Sequence, residues 1–155
     1  MPLSQNSSTG WAVFFARWIL GLLFFMAGWF KVFELGALQH AQKFFVEGYR
    51  QNWIPLWLLW TTGVSIPFAE FISGALLILG FRIKEALLTV GAILVIVTYG
   101  HLLKEPLFDI TTHIFPRAVF LVILLALPRD SDAWSLDAIL RRRRARTKSR
   151  NKSLE

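Results

Sequence analysis

Few side chains in this sequence could carry chemistry, and they sit inside or beside apolar runs. Glu70 lies in Pro67-Phe-Ala-Glu70-Phe-Ile-Ser-Gly74, within a run of apolar residues from Ile54 to Phe81. A carboxylate there is costly unless it is paired or protonated, so its partner is the first thing to look for. It is either a structural acid that locks helices together or a functional one. The cation that falls in a comparable position is Arg17, in the first apolar run. A second group consists of Lys31, Tyr99, His101, Asp109, His113 and Arg117, with Trp29 and Trp57 at similar depth. Aromatic walls with convergent hydrogen-bond donors suit a flat, polar-headed ligand such as a quinone. His101 and His113 fall on adjacent predicted helices, so bis-imidazole haem ligation is geometrically conceivable. Hydrogen-bonded interface histidines are the plainer alternative. No phosphate-cradling glycine loop, paired catalytic carboxylates or Ser/His/Asp array is present, and no metal site is expected.

The elements that must hold these residues follow from composition. The chain has 155 residues, 55% of them hydrophobic, with 14 Phe and 7 Trp. A soluble domain of this size could not cover so much apolar surface. The fold class expected is all-α: an integral membrane four-helix bundle. There is no cysteine, which excludes disulfide exchange and thiolate-held metal or iron–sulfur sites within this chain.

Residues 1–10 are small and polar and read as a disordered lead. A transmembrane domain over 11–128 follows, with spans at about 11–32, 54–81, 86–103 and 107–127. Arg17, Gly21, Gly28 and Lys31 share one face of the first span, and Gly63, Pro67, Glu70 and Gly74 share one face of the second. Small residues let helices approach closely, so both faces should point into the bundle. Pro67 frees a backbone carbonyl that the bundle must satisfy. Between these spans, Leu38, Ala41, Phe44, Phe45 and Tyr49 alternate with polar residues at helical spacing, which predicts an interfacial amphipathic helix. In the fourth span Asp109, His113 and Arg117 recur every four residues and should stack on one face. Pro116 should bend this span and Pro128 end it.

Four spans put both termini on one side, together with Arg82, Lys84 and the polybasic tail over 129–155. Beyond Leu127 the chain has nine Lys or Arg against four Asp or Glu, which accounts for five of the seven net positive charges. Basic residues accumulate on the cytoplasmic side, so both termini should be cytoplasmic. The tail has no aromatic interleaving for base recognition, so it suits anionic lipid headgroups and no nucleic-acid partner is expected. In this topology Arg17 lies roughly 9 Å and Glu70 roughly 15 Å from the cytoplasmic ends of their helices, which predicts an Arg17–Glu70 ion pair.

Arg17-x3-Gly21, Gly28-x2-Lys31, Glu70-x3-Gly74 and Leu77-Ile-Leu-Gly80 occur here in that order, followed by His101 and by Ser135-Leu-Asp137 ahead of the basic tail. Together they resemble the DoxX/DoxD-like membrane proteins, and Arg17, Lys31, Glu70 and His101 match polar positions of that family. The resemblance implies a four-helix protein of the bacterial inner membrane. Some such proteins are subunits of a thiosulfate:quinone oxidoreductase and others accompany redox enzymes. The expectation is therefore a membrane subunit or accessory of a quinone-linked oxidoreductase or respiratory complex. Its partners would be other redox subunits or further copies of itself, and it would hold no covalently bound cofactor. The alternatives are an assembly subunit with no chemistry of its own, or a small proton-coupled transporter using the Arg17–Glu70 pair as a gate or proton site.

Overall fold

Backbone polar groups in hydrocarbon must be satisfied within their own segment, which leaves an apolar run of this kind only the helix. The computed structural model describes residues 5–127, 132 and 134–152. Among them all regular structure is helical. Helix α1 (Gln5–Trp29) continues as a π-helical turn, Phe30–Glu34. The connection is α2 (Ala37–His40), a second π-helical stretch (Ala41–Val46) and α3 (Glu47–Tyr49). Then come α4 (Leu56–Leu79), α5 (Ile83–Lys104), α6 (Phe115–Ala126) and α7 (Leu136–Lys152). Ser8–Glu34, Leu56–Leu79 and Ile83–Lys104 are long and apolar enough to cross a bilayer, and the protein is a multi-pass, all-helical membrane protein.

Helix α1 begins at Gln5, so most of the lead expected to be disordered is helical. The larger correction is the fourth span. Helix α6 has 12 residues, about 18 Å of rise against a hydrocarbon core of about 30 Å. Residues 105–114 form turns instead. Asp109 Oδ1 accepts the Thr111 N–H at 2.8 Å and the Thr111 hydroxyl at 2.6 Å, a local bond that competes with helix. Pro116 lies in the first turn of α6, where its missing N–H costs nothing. Asp109, His113 and Arg117 therefore do not stack on one helix face. Even so, α6 packs between α1 and α5 and returns the chain to the end where α1 starts. There the rings of Trp11 and Trp134 lie 5.5 Å apart. Pro128 lies outside the described residues.

The closest packing joins α1 and α4. A Cβ on Gly28 would come within 2.3 Å of the Phe71 nitrogen, and one on Gly74 within 2.3 Å of the Phe25 nitrogen. Backbone meets backbone here, as the two small-residue faces required. Around this contact Leu20, Phe24, Leu77, Leu87 and Val90 form the core shared with α5.

Gly80 ends α4 in the left-handed region (φ 66°). The N–H groups of Gly80 and Phe81 return to the carbonyls of Leu77 and Leu76, which closes the helix in a Schellman motif. Helix α5 has no cap of its own. Its first amides, from Arg82 and Ile83, donate to the Asp137 carboxylate at 3.1 Å each. The Ser135 hydroxyl oxygen in turn accepts the Ala138 N–H at 3.2 Å and caps α7. The segment read as a basic tail thus begins as a clasp on the α4–α5 turn.

Gly28→Ala and Gly74→Ala should each destabilise the bundle by about 1–3 kcal/mol in denaturant titrations of detergent-solubilised protein. Gly91→Ala is the control, since its added Cβ meets only Leu121 at an ordinary 3.4 Å. Equal losses at all three positions would show that the α1–α4 contact is not special.

Candidate functional site

The α1–α4 contact sets which charges meet. Gly28 sits beside Phe71 and Gly74 beside Phe25, so Glu70 is level with residues near Trp29. Arg17 lies about twelve residues, or roughly 18 Å, further along α1. Helical side chains also lean towards their own N-terminus. Lys31 therefore leans towards Glu70, whereas Arg17 leans away from it. The Lys31 ammonium donates to both carboxylate oxygens of Glu70, at 2.8 and 2.6 Å, with Glu70 buried. The expected Arg17–Glu70 pair does not form, and the transporter alternative loses the pair it relied on.

Arg17 is instead sealed at the opposite end of the contact, 1% exposed. Its Nε donates to Asp132 Oδ2 at 2.9 Å. Its Nη1 donates to the carbonyls of Leu77 and Ile78 in the last turn of α4, where main-chain donors run out. Asp132 was missed because it precedes α7 by sequence and gives no periodic signal. What joins it to Arg17 is the return of the chain through α6.

Pro67 is buried within α4 and has no N–H to give to the carbonyl of Gly63, four residues earlier. His40 fills the vacancy: its Nδ1 lies 2.9 Å from the Gly63 oxygen. A carbonyl only accepts, so Nδ1 carries the proton. The approach that makes this possible needs Gly63 itself, since a Cβ there would lie 2.7 Å from Ala41 Cα. The amphipathic connection is thus helical, as expected, and its His40, Ala41 and Tyr49 side is folded onto the bundle. Lys104, at the end of α5, holds its far end, with Nζ 4.4 Å from the Tyr49 ring centroid. The demand of a freed carbonyl was legible in Pro67; its donor was not.

Folding the connection down forms an open cavity of about 680 Å³ between the π-helical turn after α1, α4, α5 and the connection. Of the residues predicted from sequence, Lys31, Tyr99, His101 and His113 line it. Asp109 and Arg117 do not. Asp109 is exposed on the α5–α6 connection, where the Thr111 bonds hold its carboxyl below the usual carboxylate range. Arg117 donates to the His113 carbonyl at 2.7 Å and faces the Phe24 ring. His101 stacks flat on Phe108 at 4.2 Å, which fits an interface residue held at the rim. His40 and Tyr49 join the wall, with Phe45, Leu59 and Ile66 supplying apolar surface. Burial, with Lys31 nearby, holds the His40 imidazole below its usual 6.5, against the pull of its Gly63 bond.

Two outcomes follow. Lys31→Met alone should cost about 3–5 kcal/mol in detergent unfolding, because it leaves the buried Glu70 charge unpaired, and Glu70→Gln should cost less, because Lys31 is partly exposed. Lys31→Met with Glu70→Leu should recover most of that loss. Additive losses would mean that the two groups do not act as a pair. For His40 the folded pKa is depressed, so the unfolded chain takes up the proton first and stability falls as pH drops through about 6.5 and below. His40→Asn keeps a donor for Gly63 and cannot titrate. Its unfolding midpoint should vary less between about pH 7 and about pH 5 than that of the wild type. Parallel profiles would assign the acid sensitivity elsewhere.

The family model described as methylamine utilisation protein MauE matches residues 9–104, from the first turns of α1 to the end of α5. No curated protein and no solved structure matches the chain. The MauE match overturns the resemblance to the DoxX/DoxD-like proteins. The glycine spacing behind that resemblance is what close packing of α1 on α4 demands, and many membrane helix pairs meet the same demand. Lys31, His40, Pro67, Glu70 and His101 fall inside the match, whereas His113 and Asp132 lie beyond it. More than half of the 155 residues are matched, and the chain is a multi-pass membrane protein of the MauE family.

Proposed function

We propose that this protein is a membrane subunit or accessory of a redox system and seats a quinone-type molecule in the cavity beside the Lys31–Glu70 pair. The observation that carries the reading is the composition of that cavity. Its walls are largely aliphatic and aromatic, and the Lys31 ammonium is held in place at its edge. Lys31 has three N–H donors and Glu70 accepts two of them, so one remains for the carbonyl of a flat ligand. Phe30, Trp53 and Tyr99 at the margin are exposed, which suits entry from the lipid. The family's description as a methylamine utilisation protein fits an accessory to an oxidative system. An accessory role also accords with a chain that has no cysteine and no electron-holding side-chain group of its own.

The reading extends to placement in the bacterial inner membrane. Arg82, Lys84, Arg141 and Arg144 line a second cavity, of about 540 Å³, at the end where α1 starts. The positive-inside rule makes that end cytoplasmic, and its cations suit anionic lipid headgroups. The exposed Phe and Trp residues of the spans offer a face for other membrane subunits or a second copy.

Titration of detergent-solubilised protein with a short-chain benzoquinone, followed by tryptophan fluorescence, tests the reading. Wild type should bind saturably, Lys31→Met should bind roughly tenfold more weakly, and Thr62→Trp, which fills the cavity, should not bind. Equal partitioning of the probe with all three proteins would sink the proposal.

A further inference from the structure

His40 carries one polar atom that the fold does not use. Nδ1 is committed to the Gly63 carbonyl, so in the neutral ring Nε2 holds a lone pair and can only accept. Nε2 makes no hydrogen bond among the described residues. Among the described residues no sealed side-chain nitrogen or oxygen is left without a partner. Nε2 therefore keeps contact with open space although the residue as a whole is 5% exposed. The space His40 borders is the cavity. The ring is flanked by Phe44 and Phe45, with centroids 5.3 and 5.6 Å away, so it has little freedom to turn.

We infer that His40 Nε2 is the acceptor that recognises a ligand hydroxyl in this cavity, so that the site selects a hydroquinone over the corresponding quinone. The inference rests on the quinone-type reading of the cavity and adds the redox form preferred. A hydroquinone O–H donates to Nε2. A quinone carbonyl set against the same nitrogen would bring two acceptors together and leave both unsatisfied, and a buried acceptor without a partner is costly. Pro67 is the origin of this selectivity. By withholding an N–H from Gly63 it draws the proton of His40 to Nδ1, and the opposite nitrogen becomes the acceptor. His40 is thus a positioning and selecting residue fixed by a helix defect on another element. The Lys31 ammonium complements it as a donor. One edge of the ligand meets a donor and another meets an acceptor.

The test is an anaerobic titration of the full chain in mild detergent with three probes of equal tail length: a benzohydroquinone, its benzoquinone and its dimethyl ether. Wild type should prefer the hydroquinone over the other two by roughly tenfold, and His40→Asn, which keeps the Gly63 bond but has no atom at the Nε2 position, should bind all three alike. Equal binding of the three probes by wild type, or a preference that persists in His40→Asn, overturns the selection by His40 and leaves the cavity reading standing. No saturable binding of any probe overturns both. A ligand-free measurement checks the origin of the tautomer. Nitrogen NMR of histidine-labelled protein should show His40 protonated at Nδ1 in wild type. In Pro67→Ala, where residue 67 regains its N–H for Gly63, the two tautomers should mix. A wild-type His40 protonated at Nε2 would overturn the inference without reference to any ligand.

Discussion

The backbone contact between α1 and α4 is the constraint on which the rest of this molecule depends. Gly28 and Gly74 bring the two chains so close that one added carbon would overlap main-chain atoms. Such a contact permits one axial register, because sliding either helix by a turn would set a side chain where only a glycine fits. That register decides the electrostatics. It places Lys31 against Glu70 and carries Arg17 to the end of α4, where two carbonyls and Asp132 receive it. Both charges would be ruinous alone in hydrocarbon, and both are neutralised by groups that the register delivers.

A second defect, Pro67, organises the other half. A proline inside a spanning helix leaves a carbonyl with no intrahelical partner, and hydrocarbon offers no water to take its place. His40 satisfies it and in doing so folds the connection against α4. Lys104 over Tyr49 secures the same connection from α5. The cavity between these elements is a consequence of that repair. One unsatisfied backbone group therefore links the local chemistry of a proline to the shape and polarity of the site.

The end of the bundle where α1 starts is closed by chain that reads from sequence as a tail. Asp137 supplies the cap that α5 lacks, and Ser135 starts α7 while packing against Gly80. Asp132 completes the shell of Arg17. These contacts hold the end of the chain to the α4–α5 turn and give Ser135-Leu-Asp137 a structural purpose of its own.

Local features were readable without coordinates because they depend on neighbours in sequence. Length and apolarity mark the three membrane-long helices. The period of 3.6 residues puts Arg17, Gly21 and Gly28 on one buried face and Gly63, Pro67, Glu70 and Gly74 on another. The same periodicity misled at Asp109, His113 and Arg117, where an Asp–Thr turn and a helix that starts only beside Pro116 outweigh helical spacing. It also suggested that Glu70 would meet Arg17, because depths counted from helix ends ignore register and the direction in which side chains lean. Glycine and leucine spacing pointed to the wrong family for a related reason: it reports close packing, which many membrane helix pairs share. Which cation meets Glu70, which donor answers Pro67 and which carboxylate holds Arg17 were decided only by tertiary structure. Each joins residues from elements whose relative placement is set by packing, and no periodicity within one segment encodes it.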